Sequence, residues 1–205
     1  MIMLDMNSKT DGIADFLTCL GSLERKNSQL FETLSNKIVY SPVKPQLTKI
    51  ADDNMKHATI LEDVGQQIVN PKIKTKDCKK KLSVVCRTTE VLLEQVKQKE
   101  KITLEELSDY LEQLESSGGA AQYLLIQAET FLFMSKEISR LYGMDFLEFN
   151  NLLNGIAKDV EEHIQLLEDI KEIIANEQEE DDQVMHPMFK YQRPDAWVTP
   201  VSGTE

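Results

Sequence analysis

Six residues carry the chemistry open to this sequence. They are Glu24, His57, Glu129 and His163, with Asp53 and Asp159 each four residues before a histidine. Carboxylates and imidazoles are ligands for iron, manganese and zinc, and they also exchange protons. Their spacing repeats. Ile50-Ala51-Asp52-Asp53-Asn54-Met55-Lys56-His57 is echoed by Ile156-Ala157-Lys158-Asp159-Val160-Glu161-Glu162-His163. Ile, Ala, Asp and His recur at matching places, and Leu61-Glu62-Asp63 and Leu167-Glu168-Asp169 extend the match at the same offset of 106. Glu24 lies 33 residues before His57, and Glu129 lies 34 before His163.

All four of these acids and imidazoles fall within apolar stripes. Glu24 is four after Leu20, His57 is four before Leu61, Glu129 is four after Leu125, and His163 is four before Leu167. Residues four apart share a helix face, so each points the way its leucine points. A buried carboxylate is costly unless it is paired, hydrogen-bonded or metal-bound. Two Glu and two His, one per helix, would converge on a common interior.

This pattern resembles the ferritin-like superfamily, rubrerythrins especially, over residues 13–70 and 119–175. The segment from Ile50 to Ala58 looks like a rubrerythrin second helix. The resemblance implies an all-α, antiparallel four-helix bundle with a lone Glu on helices one and three and Glu-x-x-His on helices two and four. In that family the set holds two metal ions. This sequence departs at both bridging positions, three before each histidine, which are Asn54 and Val160. Val160 cannot ligate, and Asn54 offers only a neutral carbonyl.

Two readings stay open. In one, Asp53 and Asp159 replace the missing carboxylates. Glu24, His57, Glu129, His163, Asp53 and Asp159 then hold one or two Fe, Mn or Zn ions that react with oxygen or peroxide. In the other, the site is degenerate. Glu24–His57 and Glu129–His163 are then buried hydrogen-bonded pairs, Asp53 and Asp159 face water at the stripe's edge, and the protein is a metal-free binding or scaffold protein.

The elements that must position these residues are helices. The first stripe runs through Ile13, Leu17, Leu20, Leu23, Leu30, Leu34 and Ile38, and Ser41-Pro42 and Pro45 interrupt it. The second runs from Leu47 through Ile50, Ala58 and Leu61 to Ile68, ahead of Asn70-Pro71. Residues 121–141 predict the third main helix, and Asp145-x-x-Glu148 is a capping box opening the fourth, from Phe149 to Ile174. Helices two and four should each span about 25 to 30 residues, roughly 40 Å. Two like hairpins need a long link to pack as an antiparallel bundle, and residues 72–117 supply it. That crossover is partly helical: one helix runs along Leu82, Cys86, Leu92 and Val96, and another opens at Thr103-x-x-Glu106 and ends near Ser116-Ser117-Gly118-Gly119. The domain is thus expected over 10–177, with an acidic and then aromatic, Pro-containing tail over 178–205.

Composition sets outer limits. A chain of 205 residues suits one domain, and few Gly and Pro favour helices. A net charge of -12 argues against nucleic acid as a partner, apart from the six lysines between Lys72 and Lys81, read as a solvated linker. No stretch has the roughly 18 apolar residues of a membrane span. Three cysteines, with no Cys-x-x-Cys, support neither a disulfide framework nor a rubredoxin-type iron site, and Cys19 reads as buried filler. A reducing cytoplasm is the expected location. Electrons for any redox chemistry must then come from a partner protein, and a homodimer is the expected assembly. Tyr40, Tyr123 and Tyr142 read as packing residues with wet hydroxyls, and His186 as part of the tail.

Overall fold

The computed structural model describes residues 3–68, 83–116 and 147–189, with side chains over 14–66, 86–114 and 151–177. These residues are all-helical. They form α1 (Met3–Lys37), a 3-10 turn (Ser41–Val43), α2 (Lys44–Ile68), α3 (Ser83–Gln98), α4 (Leu104–Ser116) and α5 (Leu147–Phe189). The expected third main helix, with Tyr123, Glu129 and Tyr142, and the Asp145-x-x-Glu148 box lie outside the described residues.

α1 and α2 form a hairpin. Ser41-Pro42 stops α1 and opens the 3-10 turn, and Pro45 sits in the first turn of α2, where its missing N–H costs nothing. Two glycines set how closely the helices approach. A Cβ on Gly21 would stand 3.0 Å from the Ala58 carbonyl, and a Cβ on Gly65 would stand 3.1 Å from that of Ala14. The first helix thus presents glycine to the second, and the second returns one.

The crossover is more than a connection. Leu92, Leu93 and Val96 of α3, then Ile102, then Leu107, Tyr110 and Leu111 of α4 are buried in one cluster with Leu30, Leu34 and Ile38 of α1, Leu47 and Ile50 of α2, and Ile170 and Ile174 of α5. Each fully buried leucine or isoleucine there contributes about 2 kcal/mol relative to exposure. The capping box forms as expected: the Glu106 N–H donates to Thr103 Oγ1 at 3.2 Å, and the Thr103 N–H donates to Glu106 Oε2 at 3.0 Å. Lys37 caps the other end of the unit, its ammonium donating to the carbonyls of Val96, Lys97 and Lys99 at 3.0, 2.7 and 2.6 Å. They lie in and just past the last turn of α3, where a helix leaves carbonyls short of partners and favours a cation; the Val96 carbonyl also accepts the Lys99 N–H at 3.2 Å. A short parallel bridge, Ile38 with Ile102, completes the joint.

Two local expectations change. The fourth helix does not end near Asn176 but continues to Phe189. Glu177, Gln178, Glu179 and Glu180 are good helix formers, and nothing in that run breaks the backbone ladder. Tyr40 packs half-buried against the core as expected, and its hydroxyl also donates to Glu177, which ties the hairpin turn to α5. Cys19 is buried as expected but is disulfide-bonded, and Cys86 is a buried thiol. Cysteine usage therefore no longer argues for a reducing compartment. No described helix is long and apolar enough to cross a membrane.

Candidate functional site

Above the apolar cluster, α1, α2 and α5 bring together five of the six predicted site residues. Glu24, His57 and His163 are each 1 % exposed. The imidazoles lie 5.8 Å apart, centroid to centroid, with planes tilted by 34°. Glu129 lies outside the described residues.

The aspartates behave differently from either sequence reading. Each was expected to work with the histidine of its own helix or to face water. Instead they cross over. His57 Nε2 donates to Asp159 Oδ2 at 3.2 Å, and His163 Nε2 donates to Asp53 Oδ2 at 3.4 Å. As the position on α2 rises from 53 to 57, its partner on α5 falls from 163 to 159, so the helices cross here in opposite senses. The sequence repeat becomes a spatial exchange, each helix orienting the imidazole of the other.

With Nε2 committed, Nδ1 of each ring is left. Both Nδ1 atoms are buried without a hydrogen-bond partner among the described residues. His57 Nδ1 lies 3.8 Å from Glu24 Oε2, a charge contact rather than a hydrogen bond. The expected Glu24–His57 hydrogen bond is therefore looser than anticipated, and the tighter bond runs to Asp159.

Electrostatics separates the two halves. Burial pushes His57 down, but Glu24 and Asp159 outweigh it and raise its pKa above the ordinary 6.5. Burial also pushes His163 down, the positive charge on His57 adds to that, and Asp53 and Glu24 do not compensate, so its pKa falls below 6.5. Asp53 is weakened as a partner because two lysines already hold it. Lys49 Nζ donates to Oδ2 at 2.8 Å and Lys56 Nζ to Oδ1 at 2.7 Å. Burial pushes the Asp53 carboxyl up, yet Lys49, Lys56 and His163 hold it well below the usual carboxylate range. In its neutral form His163 keeps a proton on Nε2, toward Asp53, and a bare lone pair on Nδ1.

Lys49 and Lys56 were not foreseen as part of the site. Their signal was present: they stand four before and three after Asp53, the two spacings at which helix residues meet. Asn54 and Val160 are buried, 3 % and 1 % exposed. Among the described residues, no group of three His, Cys, Asp or Glu side chains is arranged as it stands to hold a metal ion. Comparisons with family models, with characterised proteins and with solved structures found no match.

Proposed function

We propose that this chain is a ferritin-like helical bundle protein that binds one divalent transition metal, with Glu24, His57 and His163 as ligands and Glu129 as the fourth. Asp53 and Asp159 then serve as orienting partners on Nε2, the arrangement in which carboxylates fix metal-binding imidazoles. The observation carrying this reading is the pair of buried Nδ1 atoms lacking hydrogen-bond partners among the described residues, on rings whose other nitrogens are fixed. Two carboxylates balance one dication. A second ion would need the charge that Asn54 and Val160 do not supply. Two oxygens and two imidazoles suit iron, manganese or zinc. Bound iron or manganese would supply one-electron chemistry with oxygen or peroxide, making the protein an oxidoreductase fed by a redox partner.

The protein's own groups set the conditions for binding. His57 must give up a proton before it ligates, so affinity should weaken as pH falls. Asp159 and Asp53 hold the rings in place, and the apolar shell excludes bulk water.

Elemental analysis of protein purified without chelator tests the proposal. Stoichiometric metal that is lost in both His57→Ala and His163→Ala supports it. Metal-free protein whose melting is unchanged by EDTA favours the second reading, a degenerate scaffold. That reading has its own support in Val160, an apolar side chain buried where a bridging carboxylate would stand.

A further inference from the structure

The cysteines stand apart from the buried imidazoles and belong to a different chemistry. Cys19 on α1 is disulfide-bonded and 0 % exposed, and Cys86 on α3 carries a thiol and is 5 % exposed. The third cysteine of the sequence, Cys78, lies outside the described residues.

α1 and α3 lie side by side and run in the same sense. Lys26 pairs with Glu90, Thr89 Oγ1 donates to Asn27 Oδ1 at 3.1 Å, and further along Lys37 reaches the carbonyls of Val96 and Lys97. These contacts fix which faces meet. Cys19 stands seven before Lys26, two helical turns down the same face. Cys86 stands four before Glu90, one turn down its own face. Both cysteines therefore sit on the stripes that meet, offset along the helices by three residues, or about 4.5 Å. Cys86 is in the first turn of α3, where backbone N–H groups lack intrahelical partners and the helix shifts most easily.

Burial decides what can attack the disulfide. Exchange needs a thiolate that reaches one of the bonded sulfurs, and access limits its rate. At 0 % exposure the Cys19 sulfur is closed to thiols in solution. A thiol inside the same core is not shut out, and among the described residues Cys86 is that thiol.

We propose that Cys86 and Cys19 form an internal thiol–disulfide exchange pair. The Cys86 thiol gives up its proton and its sulfur bonds to Cys19 Sγ. The bond from Cys19 to its present partner breaks, and that partner leaves as a thiolate and takes up a proton. No outside oxidant or reductant is consumed. With three cysteines in the chain and Cys86 a thiol, the leaving group is Cys78. The exchange moves the tether of α1 onto α3, beside the Lys26–Glu90 pair, and trades a buried thiol for one elsewhere in the sequence. It does not depend on the imidazoles holding a metal.

The test uses the full chain, oxidised with glutathione disulfide and held at neutral pH with N-ethylmaleimide. Samples are quenched in acid, digested without reduction and mapped by mass spectrometry. A Cys19–Cys86 linkage within one chain should replace the original in most molecules, with the maleimide accumulating on Cys78. In Cys86→Ala, checked for its fold by circular dichroism, no thiol remains to attack, and labelling of Cys78 should be lost. Label on Cys19, label confined to Cys86, no label at all, a Cys19–Cys86 link between two chains, or Cys78 labelling that persists in Cys86→Ala would each overturn the proposal.

Discussion

The two Asp-x-x-x-His segments carry the same residues at the same spacing, yet their histidines titrate in opposite directions. His57 faces Asp159 and Glu24 and is raised, while His163 faces Asp53 and is lowered. The difference lies in the company of each aspartate. Asp159 is 38 % exposed in its side chain and reaches His57 directly. Asp53 is 6 % exposed and shared with two lysines, so less of its negative charge is left for the imidazole. A repeated motif therefore supplies one ring suited to a proton and one suited to a bare lone pair. What distinguishes them is Lys49 and Lys56, for which the second segment has only Gly155 and Glu162 at the matching offset of 106.

If burial and sharing make the difference, removal of each aspartate should cost unequally. Asp53→Ala strands His163 and two ammonium groups beside a nearly closed site, and should lower stability by about 3 kcal/mol. Asp159→Ala removes a partner that water can largely replace, and should cost less than about 1 kcal/mol. Urea unfolding of the metal-free protein at neutral pH measures both. Equal losses would remove the asymmetry.

Much of this was legible in residue spacing, and the rest was not for physical reasons. Glu24, His57 and His163 could be placed inside because each shares a stripe with leucines, and a helix face is a local property. The Thr103–Glu106 cap could be read for the same reason. The exchange of aspartates could not, because partners 102 and 110 residues apart depend on how α2 crosses α5. Nor was it evident that the crossover would build the core. Leu92, Leu107 and Leu111 announce an apolar face, but not what it meets. The α1–α2 approach rests on Gly21 and Gly65, whose meaning appears only when a facing carbonyl lies about 3 Å from where a Cβ would stand.

Stability against pH should separate the two rings by sign. His57 is raised, so it stabilises the fold below its unfolded value of 6.5, and that contribution is lost as pH climbs through its higher folded value. His163 is lowered, so it stabilises above 6.5, and that contribution is lost as pH falls through its lower folded value. In the metal-free parent the two slopes partly cancel around pH 6.5. With His57→Gln only the His163 slope remains, made shallower because the charge on His57 that helps to lower it is gone, and burial, the larger cause, should still make stability rise with pH across that window. With His163→Gln it should fall. Melting temperatures from pH 5.5 to 8 measure this, and slopes of one sign in both variants would contradict the assignment.

The mildest change acts on the lysines themselves. Lys49→Gln with Lys56→Gln touches neither histidine and alters two exposed side chains, and glutamine can still donate to buried Asp53, so stability should fall by about 1 kcal/mol. Asp53, no longer shared, then presents its full charge to His163. The His163 pKa should move upward toward the behaviour of His57, while His57, which does not contact either lysine, should move little. Proton-detected NMR of the imidazole carbons follows both rings in one titration. An unmoved His163 would mean that burial and the neighbouring charge on His57 set its pKa unaided. The two aspartates would then differ in exposure but not in what they do to the rings.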